Sequence, residues 1–328
     1  MVFNFEFDKL KNELEKAKPK RVFVQLPEGI KSRAFEISKM IEELGIEVVF
    51  SGDTCWGGCS VSSDEARSVG ADLIIHFGHA EFMKVDFPII YMEIKDEIDL
   101  SPLLKKSLEK LKDFSNLGII YSIQHRHDLE MIKKFYEENG KKIFVPKGLG
   151  HAAYSGHVVG CEFSGLKLIK NEIDAVVVIG NNFHSMGASL AIDKPVFLID
   201  VYNNDIVDMS NIRDKIIRQR ILSIEKFKSF KKIGIIVEAK KGQKFGSAEL
   251  IKKKLEEAGF ETVILIMNEV TQDKLTNFNN IEGFVELACP RIAIDDFGKY
   301  NKPLITFKEA MVVAGVESFE EMLGRGVV

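Results

Sequence analysis

The chain has 328 residues, of which 45% are hydrophobic and 29% charged, and it carries a formal net charge of −4. This composition is typical of an ordinary globular protein with room for two or three small domains. The slight negative charge gives no electrostatic reason to expect nucleic acid or an anionic membrane as a partner, and no apolar run is long enough to span a bilayer. The first twenty residues lack the apolar core of a signal peptide, so we expect a cytoplasmic protein whose four cysteines stay reduced.

One pattern of predicted elements occurs three times along the chain. A charged helix comes first, at residues 7–18, 102–114 and about 209–230. A β-branched run, a polar turn and an amphipathic helix follow, within residues 21–53, 116–148 and 231–266. Each amphipathic helix ends at a glycine (Gly45, Gly140 or Gly259), which suits the left-handed position just beyond a helix. A second apolar strand follows directly, so each copy is predicted to be a βαβ unit.

Two further strands are predicted in each copy. Third strands are expected at residues 71–75, 173–179 and 281–285, and a proline leads each fourth strand, at Pro88, Pro195 and Pro303. We therefore predict an α/β protein of three similar domains, each a small parallel sheet with flanking helices. The expected domains are residues 1–100, 101–208 and 209–328. One large doubly wound sheet is the alternative interpretation.

Three of the four cysteines fall one in each predicted domain. Cys59, Cys161 and Cys289 lie in loops with neighbouring glycine or proline, and each follows a predicted strand. Loops at the carboxyl ends of parallel strands line the ligand crevice, so a pseudo-threefold arrangement of the domains would bring the thiols together. Three thiolates can hold an iron–sulfur cluster and leave one iron without a protein ligand. The alternatives are three unrelated buried thiols, or zinc, which usually takes four ligands in closely spaced pairs.

The fourth cysteine, Cys55, forms C-x-x-x-C with Cys59. The loop of many radical enzymes that use S-adenosylmethionine has a third cysteine two residues further on, and none follows here. Cys55 is therefore interpreted as a packed or spare thiol, with cluster repair or redox sensing as the alternative.

Six short motifs together resemble the diphthamide-biosynthesis 3-amino-3-carboxypropyl transferases, in their archaeal homodimeric form. The motifs are Leu26-Pro27-Glu28-Gly29, residues 52–59, His76-Phe77-Gly78-His79, Val159-Gly160-Cys161, Asn181-Asn182-Phe183-His184 and residues 289–295. The resemblance covers nearly the whole chain. Two details depart from the family pattern: Ser60 replaces an acidic residue, and Asp295-Asp296-Phe297 replaces an Asp-Trp.

The resemblance implies a noncanonical radical enzyme in which Cys59, Cys161 and Cys289 hold a 4Fe–4S cluster. Such an enzyme cleaves S-adenosylmethionine at the bond between the sulfonium and the γ-carbon. The 3-amino-3-carboxypropyl radical then adds to a histidine of translation elongation factor 2, the first step of diphthamide synthesis. A homodimer and a protein reductant are the other partners that the resemblance implies.

Eight polar or glycine residues are candidates for contact with S-adenosylmethionine, because they end predicted strands or match family motifs. Each also has a purely structural interpretation: turn chemistry, a loop histidine, or an ion pair that shapes the last cysteine loop. His76 is expected to be structural. The candidates are Gln25, Glu28, Gly29, Gly78, His79, His184, Arg291 and Asp295.

Three other functions stay open at this point. Quinolinate synthase and the reductive dehydroxylase of isoprenoid synthesis also bring three cysteines from three similar domains to one cluster, so the fold alone does not separate them. A non-catalytic subunit that delivers electrons to a catalytic partner is the third possibility.

Overall fold

The computed structural model describes residues 3–328 and, over that range, contains three main sheets. Each sheet with its helices is called a unit here. The first unit consists of β1 (Phe3–Asn4), α1 (Phe7–Ala17), β2 (Arg21–Gln25), α2 (Ala34–Glu42), β3 (Glu47–Phe50), α3 (Ser63–Ser68), β4 (Leu73–Phe77), β5 (Ile89–Met92) and β6 (Lys95–Asp96).

The second unit consists of α4 (Ser101–Lys110), β7 (Asn116–Tyr121), α5 (Leu129–Glu138), β8 (Lys142–Phe144), α6 (Ser164–Ile169), β9 (Ala175–Gly180), α7 (Asn182–Ala191), β10 (Val196–Asp200) and β11 (Asp205–Asp208). The third consists of α8 (Ser210–Lys228), β12 (Lys232–Glu238), α9 (Ala248–Glu257), β13 (Glu261–Met267), α10 (Gln272–Thr276), β14 (Gly283–Glu286), α11 (Pro290–Asp295), β15 (Leu304–Thr306), α12 (Phe307–Val313) and α13 (Phe319–Arg325). Short 3₁₀ helices span Glu28–Arg33, Ile123–Asp128 and Phe297–Lys299.

The three sheets share one strand order. It is β3-β2-β4-β5 in the first unit, β8-β7-β9-β10 in the second and β13-β12-β14-β15 in the third, with β2, β7 and β12 inside their sheets. These twelve strands are parallel to their neighbours, and β11 adds one antiparallel edge to the second sheet. The predicted α/β fold of small parallel sheets is confirmed, and the alternative of one large sheet is wrong. The domain boundaries remain a prediction.

An acidic side chain performs the same task in each unit. Asp72, just before β4, accepts hydrogen bonds from the backbone N–H groups of Lys20 and Arg21 at 2.7 and 3.1 Å. Asp174 and Glu282 do the same for the residues that open β7 and β12. Because these carboxylates cap the neighbouring strand, each third strand begins two residues later than the apolar pattern predicts.

The apolar core links the second and third units more closely than it links either to the first. The largest cluster combines Val178 and Leu198 of the second sheet with Ile235 and Val285 of the third. Separate clusters fill the first unit. Among residues 3–328, no helix combines the length and apolar character that crossing a bilayer requires.

Candidate metal centre

The three cysteines named from the sequence converge. Cys59 lies in the loop after β3, Cys161 in the loop between β8 and α6, and Cys289 immediately before α11, as its N-cap residue. All three are free and partly buried. The charge of Cys59 raises the pKa of Cys161, and the charges of Cys161 and Cys59 both raise the pKa of Cys289. The loops therefore bring the three thiols within range of one another's charge, and these three residues are called the cysteine triad below.

Burial dominates the acidity of the triad. It raises the pKa of Cys59 to about 11 and that of Cys161 to about 12, and it raises the pKa of Cys289 well above its ordinary value. Three uncompensated thiolates so close together in a buried place repel one another, so the thiols stay protonated at neutral pH without a cation. A metal centre would replace these protons and stabilise the thiolates.

Arg291 ties two of the three loops together. Its Nε and Nη2 donate to the two carboxylate oxygens of Asp295 at 2.9 and 2.7 Å. Its Nη1 donates to the carbonyl oxygens of Gly160 and Phe183 at 2.9 and 2.7 Å, and the guanidinium lies 3.9 Å from the centre of the Phe183 ring. Four of its five N–H groups are thus used inside the protein, which supports the interpretation of an ion pair that shapes the loop.

Glycines allow the loops to approach. A Cβ atom on Gly242, in the loop after β12, would overlap the carbonyl oxygen of Cys59, so only glycine fits where the third unit meets the first. A Cβ atom on Gly160 would overlap the Phe183 ring, and one on Gly58 would lie 2.6 Å from the carbonyl oxygen of Ala80.

Two buried carboxylates beside the triad were missed by the sequence analysis. Oε2 of Glu286, at the end of β14, accepts from the N–H groups of Ala288 and Cys289 at 3.1 and 3.0 Å. Its Oε1 is buried and has no hydrogen-bond partner among the described residues. Burial raises the pKa of Glu286 to about 8 and that of Glu238 to about 7. The sequence did offer one signal for Glu286, because this carboxylate ends an apolar strand three residues before a cysteine.

Gln243 connects Glu238 to the triad. In one orientation of its amide, Nε2 donates to Cys59 Sγ at 3.6 Å. With the amide reversed, the same group donates to Glu238 at 2.8 Å and the amide oxygen faces the thiol. The reversed orientation satisfies both ends of the amide, because the nitrogen then donates to Glu238 and the oxygen can accept from the Cys59 thiol.

Three histidines border the same region, of which His157 is buried and the other two are partly buried. Burial lowers the pKa of His79 to about 4 and that of His184 to about 3, and neighbouring positive charge lowers both further. His157, to which the sequence analysis assigned no role, has a pKa lowered to about 4 by burial and by Arg126. Asn181 Oδ1 accepts from the backbone N–H of His184 and lies 3.0 Å from its Nδ1, so that nitrogen carries the proton.

The remaining sequence candidates are divided between the interior and the surface. Gln25 is buried and bonds to the loop that follows Cys59. Gly78, with φ of 79°, directs its carbonyl to the Gln124 amide at 2.8 Å. Glu28 is half exposed and pairs with Lys31 at 2.7 Å, and the Cα of Gly29 faces open space.

A cavity of about 270 Å³ opens beside the triad. Cys161, Glu286 and Pro290 line it, together with Phe245 from the loop before α9. Glu286 thus forms part of the wall of a space large enough for part of a small molecule.

The profile of the family described as "Putative diphthamide synthesis protein" matches residues 26–323. This chain belongs to the diphthamide synthesis family. It is 34% identical over 320 residues to the 2-(3-amino-3-carboxypropyl)histidine synthase of Pyrococcus horikoshii, covering 95% of this chain and 92% of that one. It is 30% identical to subunit 1 of the Kluyveromyces lactis synthase, over 95% of this chain and 75% of the relative.

Solved structures of the diphthamide synthesis family agree. The crystal structure of Dph2 from Pyrococcus horikoshii with a 4Fe–4S cluster has a TM-score of 0.89 and 30% identity, over 97% of this chain and 93% of that one. A second structure of the same protein has a TM-score of 0.90 at 31% identity. The family inferred from the motifs is confirmed, as is the enzyme class, since the named relatives are transferases.

Proposed function

We propose that this chain transfers the 3-amino-3-carboxypropyl group of S-adenosylmethionine to a histidine of translation elongation factor 2. The observation that carries the proposal is the convergence of the cysteine triad from three separate units of the fold. The 4Fe–4S cluster of the Pyrococcus Dph2 structure, which has the same fold, supports it.

The residues present fit such a cluster. Three partly buried thiol donors lie within range of one another's charge, and glycines let their loops approach closely. Three donors leave one iron of four without a protein ligand, and a substrate can occupy that position. Rearranging Gln243 toward Cys59 would add a donor to one thiolate. We propose Cys59, Cys161 and Cys289 as the ligands.

A bound, reduced cluster would supply the single electron that cleaves the sulfonium–γ-carbon bond and releases methylthioadenosine. The chain's residues would bind and orient the reactants. We propose that Glu286, which lines the cavity beside Cys161, turns its unpartnered Oε1 toward the substrate ammonium. Gly78, His79 and His184 remain proposed contacts, with the neutral Nε2 of His184 as an acceptor.

The other five candidates are given different roles. We propose Arg291 and Asp295 as positioning residues, because most of the guanidinium donors are used within the protein. Gln25 would position the loop after Cys59. Glu28 and Gly29, at the surface, would contact the substrate only at the rim of the site.

The acceptor histidine requires a protein partner at this site. Trp56, near Cys59, is 60% exposed, and Phe183, which packs on the Arg291 guanidinium, is 41% exposed. Aromatic side chains are enriched at the centres of protein interfaces, so we propose these two as contacts for elongation factor 2. A cytoplasmic homodimer served by a protein reductant completes the proposal.

Anaerobic incubation of reconstituted protein with S-adenosylmethionine, dithionite and elongation factor 2 tests this function. Methylthioadenosine together with a modified histidine, seen by peptide mass spectrometry, is the expected result. Cluster oxidation without either product would favour the electron carrier. Turnover of a small dicarboxylate instead would favour quinolinate synthase.

A further inference from the structure

A second group of metal-binding side chains lies in the first unit, apart from the triad. Cys55 Sγ lies 3.8 Å from His76 Nε2, and His76 Nε2 lies 3.1 Å from His79 Nδ1. All three atoms are within 4.8 Å of one another. Among residues 3–328, this is the one group of three His, Cys, Asp or Glu side chains whose donor atoms approach so closely. It is called the Cys55 group below.

The hydrogen-bond network fixes which atom of His76 faces the group. Gln25 Oε1 accepts from the N–H of Ser62 at 3.0 Å, and Gln25 Nε2 donates to the carbonyl of Ser60 at 3.1 Å, so the amide has one orientation. That Oε1 lies 3.4 Å from His76 Nδ1, which must therefore carry the ring proton. The lone pair of His76 Nε2 is left to face the other two members.

Burial keeps both imidazoles neutral, the form that binds metals. It lowers the pKa of His76 well below its ordinary value and that of His79 to about 4. Burial also raises the pKa of Cys55 to about 12, so the thiol gives up its proton only to a strong competing charge. A divalent cation supplies that charge, and the thiol proton leaves to solvent when it binds.

We propose that Cys55, His76 and His79 bind one zinc-class divalent cation that is distinct from the iron–sulfur centre. A tetrahedral ion with metal–nitrogen bonds of about 2.0–2.1 Å and a metal–sulfur bond of about 2.3 Å needs N–N and N–S separations of about 3.4 and 3.6 Å. The observed 3.1 and 3.8 Å are close to these values, and the third separation, between Cys55 Sγ and His79 Nδ1, is within 4.8 Å. One thiolate and two imidazoles favour zinc over magnesium or calcium.

The second shell matches this assignment. A metal-binding histidine normally donates its other ring N–H to a fixed acceptor, and Gln25 Oε1 provides one for His76. The same Gln25 holds the residues that follow Cys59. The cation would thus fasten the loop that begins at Cys55 to the end of β4 and so position one thiol of the triad.

The proposal does not depend on the proposed function, and cobalt binding tests it. The full chain with Cys59, Cys161 and Cys289 all changed to serine has no triad but keeps the Cys55 group. Titrated with Co²⁺, this variant should bind one equivalent and show a thiolate-to-cobalt charge-transfer band with tetrahedral d–d bands. Stoichiometric Zn²⁺ should abolish both.

Two further variants separate ligation from folding. Adding Cys55→Ser, a change of similar size, should remove the charge-transfer band and weaken Co²⁺ binding at least tenfold. Adding His79→Gln instead should weaken binding but keep the band, with circular dichroism confirming that both variants are folded. No cobalt band in the triple variant, or an unchanged band after Cys55→Ser, would overturn the proposal.

Discussion

Nη1 of Arg291 donates to the carbonyl oxygen of Gly160 at 2.9 Å, and this bond joins two cysteine loops from different units. Gly160 immediately precedes Cys161, and Arg291 follows Cys289 by two residues. Asp295 of α11 accepts hydrogen bonds from both Nε and Nη2 of this guanidinium. A movement of α11 therefore moves the loop of the second unit with it. The spacing of two thiols is therefore controlled by one side chain.

Arg291→Lys should disturb this coupling. Lysine keeps the charge but loses the bidentate fork, so we expect a loss of about 2–4 kcal/mol in the free energy of unfolding, because the pair is largely buried. Iron retained after reconstitution should fall as well. Urea unfolding and iron analysis measure both effects. Arg33→Lys, which alters an exposed pair, should change stability by about 0.5 kcal/mol or less; equal effects of the two changes would contradict the account.

Gly242→Ala should displace the Cys59 loop. The added methyl group overlaps the Cys59 carbonyl, and relieving that overlap should cost about 1–3 kcal/mol of stability and reduce iron binding. Gly298→Ala is the matched control, because nothing lies within 4 Å of the Cβ that it adds. The comparison is made by urea unfolding and by iron content per chain. Iron content that is the same in both variants would show that this close approach is unimportant.

Arg220→Met should destabilise the third unit. The buried Arg220 guanidinium donates to both oxygens of Glu309 at 2.6 and 2.7 Å and to the carbonyl of Ala293 in α11 at 2.7 Å. Removing it leaves a buried carboxylate unpaired, at a cost of about 3–5 kcal/mol. Combining Arg220→Met with Glu309→Leu should recover part of that loss in denaturant unfolding. A double variant whose loss in free energy of unfolding exceeds the summed losses of the two single variants would argue against this interpretation.

Acid should destabilise the protein without bound metal through His157. Its pKa is about 4 in the folded chain and about 6.5 when unfolded, so between these values the unfolded state binds more protons. The contribution of His157 to the free energy of unfolding should therefore fall as the pH drops from about 6.5 to 4, by up to about 1.4 kcal/mol per pH unit. The raised pKa values of Glu286 and Glu238 act in the opposite direction, equally with and without His157. His157→Asn keeps an acceptor for the Ala153 N–H and should remove the contribution of His157 to the slope of the unfolding free energy against pH. Urea titrations at several pH values give the two slopes, and parallel slopes would exclude His157 as the cause.

The sequence predicted the architecture because its pattern is local and repeated. Apolar runs, helix-ending glycines and strand-leading prolines recur in each unit, and Gly45, Gly140 and Gly259 all have the positive φ that the helix ends require. The apolar pattern could not place the strand starts, because the caps at Asp72, Asp174 and Glu282 depend on pairing across the sheet.

The candidate site was only partly predictable, again because a local sequence pattern does not reveal contacts between distant parts of the chain. Loop cysteines with glycine neighbours could be recognised one at a time, and so the triad was found. Glu286 and Gln243 gain their significance from contacts with loops that are distant in sequence, and neither lies in a motif. The Cys55 group escaped notice because His76, on a strand, was interpreted as structural and Cys55 as a spare thiol.

The cysteine triad is tested most directly by anomalous scattering at the iron absorption edge, from crystals of anaerobically reconstituted protein. The account predicts a compact group of iron peaks bonded to the sulfurs of Cys59, Cys161 and Cys289, with one iron lacking a protein ligand. Iron bound elsewhere, or a reconstituted chain in which any of the three sulfurs is not an iron ligand, would contradict it.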